Sequence, residues 1–93
     1  MSDLYQALLS WAMVLSGYPA PAEPPNVIRV DHAFLVAGAC GGVECKVLGW
    51  YNGGKNIYLD ETLDVQNNLF DSSIAVHEFT HYLQTQGKEI NDC

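Results

Sequence analysis

Asp71-Ser72-Ser73-Ile74-Ala75-Val76-His77-Glu78-Phe79-Thr80-His81-Tyr82-Leu83-Gln84-Thr85-Gln86 is the stretch on which the reading of this chain turns. Ala75, Val76, Phe79, Tyr82, Leu83 and Gln86 recur at helical spacing and make one mostly apolar face. His77, Glu78, His81 and Thr85 fall on another side. Asp71, or Ser72 beside it, offers a side-chain oxygen to the unpaired amides of a first turn. Gly87 suits a left-handed C-cap, and Lys88 complements the negative helix end. The spacing therefore predicts a helix over 71–86, with its apolar face on a core and its polar face in a cleft.

On that helix, His77-Glu78-Phe79-Thr80-His81 has the form H-E-x-x-H. Residues four apart are rotated by about 40° and separated by one turn, so both imidazoles reach one metal ion. Glu78 flanks the same face, where a carboxylate polarises a metal-activated water without itself being a ligand. The competing reading is a surface helix that carries two solvated histidines.

Upstream, Asn56 to Asp60 reads as a strand, Gly53-Gly54 as a hairpin turn and Val47 to Asn52 as the strand before it. Cys40 to Cys45 is a glycine-rich loop. Asp31 to Ala39 is a short helix with Asp31 as cap, preceded by a strand over Asn26 to Val30. The run Pro19-Ala20-Pro21-Ala22-Glu23-Pro24-Pro25 is a stiff connector, because proline continues neither a helix nor a central strand. Residues 3–16 form the first helix: Leu4, Leu8, Trp11 and Leu15 make its stripe, Ser2 its N-cap, and Gly17 and Pro19 its stop. This order implies an α+β domain in which a short twisted three-stranded sheet packs its helices on one face.

Ninety-three residues support one domain, residues 1–93, with a modest core. Eleven acids against four bases, a net charge of −7, argue against nucleic acid and anionic membranes as partners. No stretch has the roughly 20 apolar residues of a membrane span. Residues 4–15 are apolar, but Asp3 and the lack of a preceding base are wrong for a signal peptide. Cys40 and Cys45 either close a small disulfide loop, implying a secreted or periplasmic protein, or stay reduced, as in the cytoplasm. Oligomeric state leaves no mark.

The segment from Val47 to Gln86 resembles the zincin metallopeptidases, and more narrowly the small gluzincin-like proteins called minigluzincins. The resemblance is carried by Gly49-Trp50-Tyr51-Asn52-Gly53-Gly54, by Asn56-Ile57-Tyr58-Leu59-Asp60, and by Val76 to Gln84 around the pentapeptide. It implies a zinc-dependent peptidase acting on a peptide or protein substrate, with His77 and His81 as metal ligands and Glu78 as general base. It also implies that Ile57, Tyr58 and Leu59 pair a substrate antiparallel through their backbone groups. Tyr51, Tyr58 and Tyr82 are candidates to assist the oxyanion.

The sequence departs from this family at the third ligand. A catalytic zinc takes three protein ligands and a water. In gluzincins the third is a glutamate on a further helix, whereas only twelve residues follow His81 here. Glu89 or Asp92 could fold back after Gly87, His32 could reach the metal from the other side of the sheet, or a second copy could lend a carboxylate. The favoured expectation is that this is a shortened version of a longer protein whose final helix carries the ligand. Two other functions compete with the peptidase: a non-catalytic zincin-like domain that binds a partner, and a metal carrier.

Overall fold

The computed structural model describes the backbone of residues 2–91 and the side chains of residues 2–86. Six elements follow in order: α1 (Asp3–Ser16), β1 (Asn26–Val30), α2 (His32–Ala39), β2 (Gly49–Tyr51), β3 (Asn56–Asp60) and α3 (Leu69–Asn91). The domain is α+β. Ser2 caps α1 by accepting from the Tyr5 amide at 3.2 Å, and Gly17 ends it at φ 78°, a left-handed conformation that costs glycine little. Asp31 caps α2 by accepting from the Phe34 amide at 2.9 Å.

The sheet has the order β1-β3-β2, with β1 parallel and β2 antiparallel to β3. β3 is therefore the central strand. Ile57, Tyr58 and Leu59 face Val27, Ile28 and Arg29 on one side and Tyr51, Trp50 and Gly49 on the other. With both edges of this stretch taken, the expected pairing of a substrate to Ile57, Tyr58 and Leu59 does not hold. The open edge on this side of the sheet belongs to β2.

Helices cover both sheet faces, not one as the sequence led us to expect. Period-two alternation turns Ile57 and Leu59 of β3, both fully buried, toward α1 and α3. It turns Tyr58 and Trp50 the other way, stacked at 5.4 Å, and there Phe34 of α2 lies 5.0 Å from the Tyr58 ring. A strand apolar on both faces needs cover on both. The fit under α2 is close: a Cβ at Gly38 would lie 2.2 Å from the Trp50 ring.

The main core lies between α1, α3 and the inner sheet face. Leu8, Leu9 and Ala12 meet Ala75, Val76, Phe79 and Leu83 over Ile57 and Leu59, with Tyr5 edge-on to Phe79. Arg29 ties the segment after β3 in place by donating to the carbonyls of Asp60, Glu61 and Leu63. That segment also turns at Asp60, whose carboxylate accepts from the Thr62 amide at 2.8 Å and hydroxyl at 2.6 Å. Cys40 and Cys45 are joined as a disulfide that closes the glycine-rich loop. Among the described residues, no helix is long and apolar enough to cross a membrane.

α3 begins two residues earlier than the spacing predicts. Asn68, and neither Asp71 nor Ser72, serves as its cap by accepting from the Asp71 amide at 3.1 Å. Asp71 instead accepts from the Asp64 amide, and Ser72 is buried, donating to the carbonyl of Val65. At the other end the helix runs through Gly87 to Asn91. Glycine inside a helix costs about 1 kcal/mol relative to alanine, which weakens the helix there without stopping it.

Candidate functional site

α3 presents its apolar face to the core, as expected: Ala75, Val76, Phe79, Tyr82 and Leu83 are all buried. His77 and His81 point away from it and are exposed. Their Nε2 atoms lie 3.0 Å apart, with the rings nearly perpendicular. Two nitrogens each about 2.0–2.1 Å from a tetrahedral zinc stand roughly 3.3 Å apart, so this pair already spans two corners of such a site. The pairing follows from one helical turn on a straight helix and needs no tertiary support.

Glu78 differs from the expectation in one respect: it is buried, at 7% exposure, and does not share the solvent of its neighbours. The cause is β2. Gly49 approaches α3 so closely that a Cβ there would sit 3.0 Å from the Glu78 Cγ and 3.2 Å from both Glu78 Oε2 and the Ile74 methyl. Burial raises the Glu78 pKa, against the opposing pull of the His77 and His81 charges. Among the described residues Glu78 accepts no hydrogen bond, and none of its oxygens is both fully buried and without a partner.

Beside His81 an open groove of about 690 Å³ is lined by Tyr18, Tyr51, Asn52, Gly53, Gln84 and Thr85. Of the three tyrosines considered for the oxyanion, only Tyr51 borders this groove, and its hydroxyl donates to the Gly54 carbonyl at 2.7 Å. Tyr58 stacks on Trp50 across the sheet, and Tyr82 is buried, donating to the Glu23 carbonyl. Three contributors were missed by the sequence reading: Gly49, Tyr18 and Gln84. Gln84 was legible, since it sits three residues from His81 on the same helix. Gly49 and Tyr18 reach the site through tertiary packing, which has no local signature.

The third-ligand expectations fare unevenly. His32 heads α2 on the far face of the sheet, where its Nε2 is 2.6 Å from Glu44 Oε1 and its Nδ1 3.9 Å from Asp60 Oδ2. It is thus engaged elsewhere. Glu89 does not fold back, because the helical backbone carries it about 12 Å along the axis from His81. Asp92 and Cys93 lie outside the described residues. Among the described residues, no group of three His, Cys, Asp or Glu side chains is arranged to hold a metal ion.

Comparison of the chain with protein-family models, curated proteins and solved structures returned no match. The functional reading therefore rests on the residues themselves.

Proposed function

We propose that this chain carries the metal-binding helix and proton-transfer carboxylate of a small zinc-dependent peptidase. The observation that carries the reading is the convergence of the His77 and His81 Nε2 atoms at 3.0 Å, with Glu78 buried between α3 and β2. His77 and His81 would hold the zinc, and a third ligand would come from outside the described residues or from a second copy. When bound, zinc supplies Lewis-acid activation of water and of the scissile carbonyl. Glu78 takes the proton from the attacking water as the oxygen bonds to the carbonyl carbon. It then delivers that proton to the departing amide nitrogen as the C–N bond breaks. A buried carboxylate of raised pKa suits both halves of this exchange.

The peptide would run along the free edge of β2, Gly49 to Tyr51, in place of β3. A side chain entering the groove beside Tyr18, Tyr51 and Asn52 meets no carboxylate or ammonium among the described residues, which suits an uncharged residue. The Cys40–Cys45 disulfide supports an oxidising compartment, secreted or periplasmic.

Zinc stoichiometry by elemental analysis, with chelator competition and peptide hydrolysis, tests this reading. Glu78→Gln should abolish hydrolysis while zinc is retained. A protein that holds no zinc, or whose hydrolysis survives Glu78→Gln, is not this peptidase. The presence of only two converging histidines favours a second reading, a non-catalytic binding domain. Such a domain would bind its partner equally well with Gln at 78.

A further inference from the structure

The two histidines are not equivalent, and the difference lies in what their other ring nitrogens touch. His81 Nδ1 is 3.0 Å from Oε1 of Gln84, one turn further along α3. An amide oxygen only accepts, so the ring nitrogen facing it must carry the hydrogen. With the hydrogen on Nδ1, neutral His81 has its lone pair on Nε2, the atom turned toward His77. His77 has no such arrangement: among the described residues nothing bonds its Nδ1. Its Nε2 faces the His81 lone pair at 3.0 Å and must supply the hydrogen of that contact.

We infer that Gln84 is a positioning residue that fixes His81 in the Nδ1–H tautomer, so that its Nε2 is held ready as an electron-pair donor. His77 lacks this device and rests in the metal-free chain as the Nε2–H tautomer, donating to His81. The inference rests on the proposed reading of the pair as metal ligands, but its geometry stands in the metal-free protein. A metal ion would meet one histidine preset and one that must move its hydrogen to Nδ1. Partners of this kind fix ring orientation and raise ligand basicity, and their loss typically costs 10–100-fold in metal affinity. Gln84 is exposed and outside the core, so its replacement tests the site more than the fold.

The test uses the whole 93-residue chain, free of metal, with long-range ¹H–¹⁵N correlation spectra of the imidazoles near neutral pH. The expected result is Nδ1–H for His81 and Nε2–H for His77. Gln84→Leu should move His81 toward Nε2–H, while Gln84→Glu, which keeps an acceptor, should hold Nδ1–H. Titration with Zn²⁺ alone should then show affinity about 10–100-fold weaker for Gln84→Leu and restored by Gln84→Glu. Wild-type His81 with its hydrogen on Nε2 would mean that Gln84 presents its amino group, and would overturn the inference. So would a Gln84→Leu variant with unchanged spectra. Wild-type protein that shows these tautomers yet binds no Zn²⁺ would sink the metal reading and leave the role of Gln84 intact.

Discussion

Gly49→Ala offers a direct probe of how β2 sets up Glu78. The new methyl would lie 3.0 Å from Glu78 Cγ and 3.2 Å from Glu78 Oε2 and the Ile74 methyl. Carbon atoms pack comfortably at about 3.5–4.0 Å, so Glu78 must yield by roughly half an ångström. Overfilling a packed site costs about 1–3 kcal/mol. Stiffening the unfolded chain by replacing glycine returns about 0.4–1 kcal/mol. The net expectation is a loss of about 0.5–2 kcal/mol, or several degrees in Tm for a domain of this size. Because the clash falls mainly on Glu78 and not on the histidines, zinc affinity should stay near wild type while hydrolysis falls. Denaturant melts of Gly49→Ala in the wild-type and Glu78→Ala backgrounds separate the cause. Removing the Cγ should reduce the penalty, giving a coupling of about 0.5 kcal/mol or more between the two positions. Equal penalties in both backgrounds would refute the contact, and zinc loss with hydrolysis intact would refute the assignment of roles.

Other perturbations test the frame. Replacing both Cys40 and Cys45 with serine opens a short loop and should cost about 2 kcal/mol on the chain-entropy account, read as a lower denaturant midpoint. Ser72→Ala removes a buried hydroxyl that donates to the Val65 carbonyl at 2.6 Å, and urea melts should show a loss of about 1–2 kcal/mol. The pKa of His32 is raised by its hydrogen bond to Glu44, with burial opposing and the Glu44 and Asp60 charges and the Val47 carbonyl assisting. Its contribution is therefore full below the ordinary histidine value of about 6.5 and is lost as pH rises through the raised folded value. Asp60 has the opposite sign. Burial pushes its pKa up, but the Thr62 hydroxyl and amide with the His32 and Arg29 charges outweigh that and lower it. Its contribution is present above the ordinary aspartate value and disappears as pH falls through the lowered folded one. Thermal melts across this range should lose the decline that sets in above the ordinary histidine value in His32→Gln, and an unchanged slope would contradict the contact.

The elements that were legible in the sequence are those written in neighbouring residues. Ser2 and Gly17 bound α1, Asp31 starts α2, and the alternation in Asn56 to Asp60 locates β3 to the residue, because each signal acts within a turn or a pleat. The start of α3 was misplaced because three polar residues compete for the cap. Asn68 prevails only because Asp71 is drawn back to the Asp64 amide and Ser72 into the core. Sheet order was legible only at the hairpin. The hairpin puts β2 beside β3, but nothing local to Asn26 to Val30 says that β1 pairs in parallel on the far side of β3.

That one nonlocal fact reorganises the site. With β1 on its far side, β3 has no edge to offer, and the three-residue strand β2 becomes the border of the cleft. β2 can take that place only because Gly49 lacks a side chain at the point where it meets Glu78, and because Tyr51, two residues on, faces the same side and lines the groove next to His81. The histidine pair needs only a helix and was readable from spacing. The carboxylate between them is different in kind: its burial, and hence its raised pKa, comes from a strand almost thirty residues away in sequence. A transplanted α3 would therefore keep the geometry of His77 and His81 but return Glu78 to an ordinary, solvated carboxylate. The hairpin is what adds a buried carboxylate to two histidines on a helix.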